Sequence, residues 1–333
     1  MSADSVFPTT LLRSMYVLPA LLSGGLAMAQ SAPSTGAPNA GPPPGGQQAG
    51  PPGMMAAVPE VDRSKDCDSA CLRSHMDKYM AAMAKKDPAT LEVTPAVRVA
   101  ENSHALSLGD NAWLAIEKYS TNKVVFTDPF AGQVLLLTTV EMRAAEPFIY
   151  AVRLKIEKNR IAESEAMLTS DKIAGQHFRP DLMAETSKSL DVTIPAAKRT
   201  SRAELLKAAR ITWGLDAGAA IPNAKTCMHY ENWETPLGGS PCRGGLGRDS
   251  RNVRIPLVDV EKGVVVNYQL QDAYDPQPRP APPNEANGKT PIFYYRPLTF
   301  YVMQLARIAE GQVQSDQMFM NLQEIGITSP FRR

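Results

Sequence analysis

Phe148-Ile149-Tyr150-Ala151-Val152-Arg153-Leu154-Lys155-Ile156-Glu157-Lys158-Asn159-Arg160-Ile161 is the stretch that decides how this chain folds. Apolar and polar residues alternate from Phe148 to Glu157, the period of a strand, and Lys158-Asn159 turns the chain into a second extended run, Ile161 to Met167. Upstream lie Val124-Val125-Phe126, ended by Asp128-Pro129, and a long run from Gln133 to Val140, so the region reads as a meander of paired strands. A helix precedes it. From Cys71 to Lys85, the residues Leu72, His75, Met76, Tyr79, Met80 and Met83 recur at spacings of three and four until Asp87-Pro88 stops the run. Between helix and meander come a short extended piece, Ala96 to Glu101, and the stretch Leu106 to Lys118, with a turn at Gly109-Asp110 and a short helix around Trp113. Helix first and sheet after is an α+β order, not a βαβ alternation.

The order then repeats. Arg202 to Leu215 carries a helical stripe (Leu205, Leu206, Ala209, Trp213), and an extended segment ending in Glu231-Asn232 answers the one ending in Glu101-Asn102. Gly263-Val264-Val265-Val266 answers Gly132-Gln133-Val134-Leu135, and Arg307 to Val313 answers Lys155 to Ile161. The expected layout is a first half at 60–170, a connector with some helix at 171–200, and a second half at 201–333, the two halves packed sheet to sheet. The extra length of the second half falls in Asp275 to Lys289, a Pro- and Asn-rich run that reads as a loop.

The N-terminal part reads as an export signal. Arg13 precedes an apolar stretch from Met15 to Leu26, and Ala27-Met28-Ala29 sets small residues where a signal peptidase reads, which predicts a signal at 1–29 cut before Gln30. The stretch is shorter than the roughly 20 apolar residues of a membrane span, so no membrane association is expected once it is removed. From 30 to 59 Pro, Gly, Ala, Ser and Gln dominate, a composition that cannot bury enough apolar surface to order itself, and a flexible tether is expected. With 35 basic against 34 acidic residues and no basic run, nucleic acid is not an expected partner.

Four cysteines, Cys67, Cys71, Cys227 and Cys242, lie in the exported portion, periplasmic or extracellular, where disulfides are the default. Of three possible connectivities, local pairing is expected. Cys227 and Cys242 flank the Gly/Pro-rich run Pro236 to Pro241, whereas Cys67 and Cys71 are four apart at the start of a helix, within bridging reach if its first turn distorts. Zinc competes as a reading, but there is no Cys-x-x-Cys and no His-x-x-x-His among His75, His104, His177 and His229. No metal and no organic cofactor is expected.

A long amphipathic helix, a strand ending in an acidic residue, a short helix and a strand meander together resemble the nuclear-transport-factor-2-like superfamily, whose domains are cones of curved sheet around a helix. More narrowly, Cys67 to Leu72, Glu101-Asn102, Leu108-Gly109-Asp110, Trp113, Asp128-Pro129, Gly132-Gln133-Val134 and Arg254 to Asp259 look like an uncharacterised family of exported proteins with two such halves. The chain departs from that family's pattern after the Glu-Asn pairs, where the second half usually has glycine and Ser103 and Trp233 stand here. The resemblance implies two tandem cones, each a long helix on a curved, mostly antiparallel sheet, with an apolar cavity and one or two ionisable groups aimed into it.

In isomerase-like members a tyrosine on the first helix donates to an oxyanion while a carboxylate on the first strand moves the proton. Tyr79 and Glu101 occupy those approximate places, and His104 follows closely enough to complete an acid–base set. Each also has a structural reading: Tyr79 as core, Glu101-Asn102 as the pin of a turn, His104 as an exposed loop residue. Candidate ligand-binding residues are Asp128, Trp113, His229 and Glu231, the last two on one face of an extended segment by alternation. Arg251 and Arg254 either pair with acids there or stay solvated. The expected function is an exported module that binds a small apolar molecule or is structural, with a cofactor-independent lyase, dehydratase or isomerase as the alternative; the oligomeric state is left open.

Overall fold

The computed structural model describes residues 61–142, 147–169, 180–216, 223–232, 242, 250–274 and 297–331. The signal and tether (1–59), the Asp275 to Lys289 loop, the Pro236 to Pro241 run, His177 and Trp233 lie outside the described residues.

Helix α1, Ser69–Lys85, begins where the Asp68 side chain accepts the Cys71 N–H at 2.8 Å and ends at Lys86, whose φ of 58° puts it in the left-handed region. Its buried stripe contains Leu72, His75, Met76, Tyr79, Met80 and Met83, as the spacing predicts. Then follow β1 (Val93–Glu101), β2 (His104–Leu106), α2 (Ala112–Ala115), β3 (Ile116–Asp128), β4 (Gln133–Met142), β5 (Phe148–Glu157) and β6 (Arg160–Thr169), assembled in the order β2-β1-β6-β5-β4-β3. The pairing is antiparallel except between β1 and β6. Strand β3 starts at Ile116, earlier than the sequence shows. Glu117, Lys118 and Tyr119 are exposed on an edge strand whose pairing with β4 shifts register twice, so no apolar alternation marks it.

Within the connector, α3 (Met183–Leu190) buries Met183 and Leu190. Helix α4 (Arg202–Thr212) opens with a capping box between Ser201 and Glu204. It is followed by β7 (Asn223–Glu231), β8 (Ser250–Asp259), β9 (Val264–Ala273), β10 (Leu298–Ala309) and β11 (Gln312–Glu324), in the order β7-β11-β10-β9-β8. Again one pair, β7 with β11, is parallel. With β2 set aside, the two sheets share one strand order. Their turns agree as well: Gly132 and Gly263 both have φ of 64°, and their carbonyls accept the Ile156 and Ile308 N–H groups, each at 2.8 Å. Asn102 and Asn232, at φ 48° and 45°, take the Leu168 and Met320 N–H groups on their side chains, both at 3.0 Å.

Three apolar clusters result. One lies between α1 and the first sheet, with Met76, Met80, Leu136, Val152 and Ala166; a second lies between α4 and the second sheet, with Leu205, Ala209, Val265 and Ala306. The third is built from the opposite faces of both sheets, Phe126, Leu135, Ala151 and Met167 against Val266, Tyr268, Tyr301 and Phe319, with Met183 and Leu190 of α3 joining it. The sheets therefore bury their backs against each other, as an apolar face on each side of a strand requires.

At one edge of this contact the ends of β3 and β8 exchange hydrogen bonds. Asp128 Oδ2 accepts the Val258 N–H at 2.8 Å, and Asp259 Oδ2 accepts the Thr127 N–H at 2.9 Å. The other oxygen of each closes its own turn, Asp128 Oδ1 on Ala131 N–H and Asp259 Oδ1 on Lys262 N–H. Two disulfides, Cys67–Cys71 and Cys227–Cys242, close the local loops. No helix among the described residues is long and apolar enough to cross a membrane.

Candidate functional site

Glu101 ends β1 beside Ala166 of β6, which faces Val152 of β5 and then Leu136 of β4, so this carboxyl stands in a cross-strand row of apolar side chains on the α1 side. It is 9% exposed. Burial pushes its pKa up to about 7, against the opposing effect of hydrogen bonds from the Ala112 N–H, 3.3 Å from Oε2, and from the Asn111 side chain. The short helix α2 thus serves to bring a donor to Glu101. Asn102, not Glu101, pins the next turn, through its side-chain bonds to Leu168. Ser103 follows at φ 67°, the left-handed region where glycine is favoured, and its hydroxyl is buried without a partner.

Tyr79 reaches the same region from α1. Its hydroxyl lies 3.0 Å from Ser164 Oγ and accepts the Trp113 indole N–H at 3.0 Å, while the two rings meet edge to face with centroids 5.1 Å apart. Burial, joined by the field of Glu101 and opposed by the bonds to Ser164, Trp113 and Tyr150, raises the phenol's pKa. Trp113 is thereby committed to Tyr79. His104 stands opposite Glu101 in the β1–β2 register but is exposed, with Nδ1 3.1 Å from the Asn102 carbonyl oxygen. Asp128 belongs elsewhere. It is 1% exposed, and besides the Val258 N–H of the joint and the Ala131 N–H of its own turn it accepts Arg202 at 2.6 Å, so its oxygens are taken up in these contacts; burial outweighs that arginine and raises its pKa.

In the second half, Glu231 ends β7 at the place Glu101 holds in β1, and its row runs Met318, Gln304, Asn267. His229, two residues back, puts Nδ1 2.9 Å from Asp316 Oδ2 and Nε2 3.6 Å from Glu231 Oε1. Burial disfavours the imidazolium, but the bonds to Asp316 and Glu231 win and lift its pKa to about 9, which leaves it charged at neutral pH. Gln304 Nε2 donates to both Asp316 oxygens, at 3.1 and 2.9 Å, and Asn267 Nδ2 donates to Gln304 Oε1 at 3.4 Å.

A further polar group lies between the sheets. Arg153, 1% exposed, donates to Glu165 at 2.9 Å, Glu163 at 2.8 Å and Gln133 at 2.7 Å. Arg254 pairs with Glu165, and Phe331 lies against the guanidinium groups of Arg98, Arg153 and Arg254. Against the cost of burial, Arg153 holds the Glu163 pKa down to about 2. Arg251 pairs with Asp272 at 2.7 Å. The readable signal was charge pairing across the Lys158-Asn159 turn, since Arg153 faces Glu165 and Lys155 faces Glu163 in register. As for metal ligation, Cys67, Cys71 and His75 bring ligand atoms within 4.8 Å of one another, but the two sulfurs are joined in a disulfide.

No protein-family model and no curated protein matches the chain. Among solved structures it is similar to a nuclear-transport-factor-2-like protein of unknown function from Cytophaga hutchinsonii, at 11% identity over 29% of this chain and 89% of that one, TM-score 0.24. It is similar at 11% identity to a steroid delta-isomerase from Pseudomonas aeruginosa, over 36% and 90%, TM-score 0.25. A de novo designed nuclear-transport-factor-2 fold covers 34% of this chain and 90% of its own, at 10% identity and TM-score 0.22. Each is matched by only about a third of this chain.

Proposed function

We propose that the protein is an exported ligand-binding module made of two nuclear-transport-factor-2-like halves, 60–170 and 201–333 joined by 171–200, whose first half holds a small, largely apolar molecule against Glu101. The observation that carries this reading is a carboxyl at about pKa 7 among Ala166, Val152 and Leu136, met by the Ala112 N–H at the start of a short helix. A carboxyl in such surroundings gives an apolar ligand one directional hydrogen bond, donated or accepted according to its protonation. The two disulfides fit an oxidising, exported setting.

The test is native mass spectrometry of the protein purified from its own host. A retained small molecule, lost in Glu101→Gln with the fold intact, supports the reading; a chain that carries nothing, and binds no member of an apolar ligand library, overturns it.

The same carboxyl favours a second reading, acid–base chemistry of a lyase, dehydratase or isomerase, because a base is most useful when its pKa is near the working pH. Tyr79 supports it less. Its hydroxyl is engaged by Ser164 and Trp113, and an oxyanion would have to displace one of them.

A further inference from the structure

Cys67, Cys71 and His75 recur at intervals of four, and each is placed by contacts that owe nothing to a bond between the sulfurs. Cys67 sits just ahead of the cap of α1, where its N–H and that of Asp66 both reach the Arg63 carbonyl, at 3.4 and 2.8 Å, and the Arg63 N–H is held in turn by the Phe130 carbonyl at 2.8 Å. Asp68 takes the Cys71 N–H at 2.8 Å, and the Leu72 N–H donates to the Asp68 carbonyl at 2.9 Å, so Cys71 is fixed in the first turn. His75 stands one turn further along the same face and belongs to the buried stripe. The two sulfurs and a ring nitrogen of His75 all lie within 4.8 Å of one another.

The surroundings suit a metal ion. Asn159, in the turn between β5 and β6, brings Oδ1 to 2.8 Å from His75 Nε2 and 3.6 Å from Cys71 Sγ, which orients the ring and sets an oxygen beside the sulfurs. Cys67 and His75 are 3% and 6% exposed, while Cys71 is partly exposed and gives the way in. Two thiolates and an imidazole are ligands that zinc takes in four-coordinate sites, which leaves the fourth place to the Asn159 oxygen or a water. With the two Cα atoms 5.3 Å apart, rotation of the side chains alone can set the sulfurs at the roughly 3.8 Å that tetrahedral Zn–S bonds require. The other pair differs. Cys227 and Cys242 are both buried, and among the described residues no third ligand gathers with them.

We propose that the dithiol form of the first pair binds one zinc ion through Cys67, Cys71 and His75, so that metal and disulfide exclude each other at the start of α1. A dithiol reductant opens the site: the disulfide gains two electrons and two protons to become two thiols, and the reductant is left as its own disulfide. Zinc then displaces the two thiol protons, and the two thiolates balance its charge. The site lies about 12 Å along α1 from Tyr79 and is independent of any ligand at Glu101.

Cobalt titration of the phosphine-reduced protein under anaerobic conditions tests this, because cobalt held by thiolates shows a ligand-to-metal charge-transfer band in the near ultraviolet. One cobalt ion per chain is expected, displaced by zinc, with no band in the oxidised protein or in Cys67→Ser/Cys71→Ser, which keeps Cys227 and Cys242. His75→Asn should weaken binding by more than the roughly 10- to 100-fold typical of losing a residue that only orients a ligand. Asn159→Gly, suited to a φ of 59°, spares the helix and should weaken it about tenfold. Absence of the band in the reduced protein overturns the proposal, as does a band that survives in the double serine variant or appears equally in the oxidised protein, or an affinity unchanged by both His75→Asn and Asn159→Gly.

Discussion

Asp128 and Asp259 each hold the strand that ends in the other, Asp128 through the Val258 N–H and Asp259 through the Thr127 N–H. The exchange relates the two halves as a two-fold axis would, although Arg202 attends Asp128 and Lys262 lies near Asp259. Because each carboxylate also closes its own turn, the joint and the turns stand or fall together. Asp128→Ala and Asp259→Ala should each cost about 2–4 kcal/mol, the range for stranding buried donors. In urea unfolding the double variant should lose less than the sum, since both serve one contact; strict additivity would show two independent turns.

Glu101 gives stability a pH dependence of known sign. Its folded-state pKa, about 7, is above the ordinary value of 4.5, so its contribution is fully present below 4.5 and is lost as pH rises through 7. Glu101→Gln should therefore be more stable than the parent at pH 8, by up to about 3 kcal/mol, and closely matched at pH 4. Denaturant midpoints across that range would read it, and a gap independent of pH would mean the carboxyl is not buried in solution.

His229 titrates in a higher window. With a folded pKa of about 9 against 6.5, its stabilisation is complete below 6.5 and disappears as pH rises through 9. His229→Gln should lose roughly 2–3 kcal/mol at pH 6 and much less at pH 10. Histidine NMR would report the same pKa directly, and a value below 7 would remove the charge assigned to it.

Gly132 and Gly263 permit the tight approach of neighbouring backbone. A Cβ there would lie 2.6 Å from the Ile156 oxygen at Gly132 and would overlap the Ile308 oxygen at Gly263, at positive φ in both cases. Replacing either by alanine should destabilise by more than the roughly 1 kcal/mol of an ordinary turn glycine, and thermal unfolding of the two variants would measure it.

The disulfides should contribute unequally. On the chain-entropy account the Cys227–Cys242 bridge, closing 15 residues, is worth about 3 kcal/mol and the four-residue Cys67–Cys71 bridge about 2. Double alanine variants of each pair, compared in urea, test the order.

Much of this architecture is legible in the chain because its strands are long and rich in apolar residues, buried on both faces. Phe148 to Glu157 forms β5 over that same span, and the stripe from Leu72 to Met83 marks the buried side of α1. The phase of alternation has less to say about which core a face meets: Leu135 turns away from α1 to the second sheet, and Leu136 is the one that faces the helix. The site was readable in part. His229 and Glu231 share a face as the strand period demands, but Asp316 lies 87 residues from His229, brought there by parallel pairing that no local pattern announces. Asp128 looks from sequence like any turn aspartate before proline; only packing of one half on the other gives it Val258 and Arg202.

The back-to-back burial of the sheets also insulates their inner sides. Each sheet seals itself against the other with residues that point away from its own helix, so the side chains lining one helix-facing side are not those that meet the opposite sheet. A chain built this way can keep its seam fixed while the helix-facing sides of its two sheets differ in chemistry, apolar around Glu101 on one and ionic around His229 and Asp316 on the other.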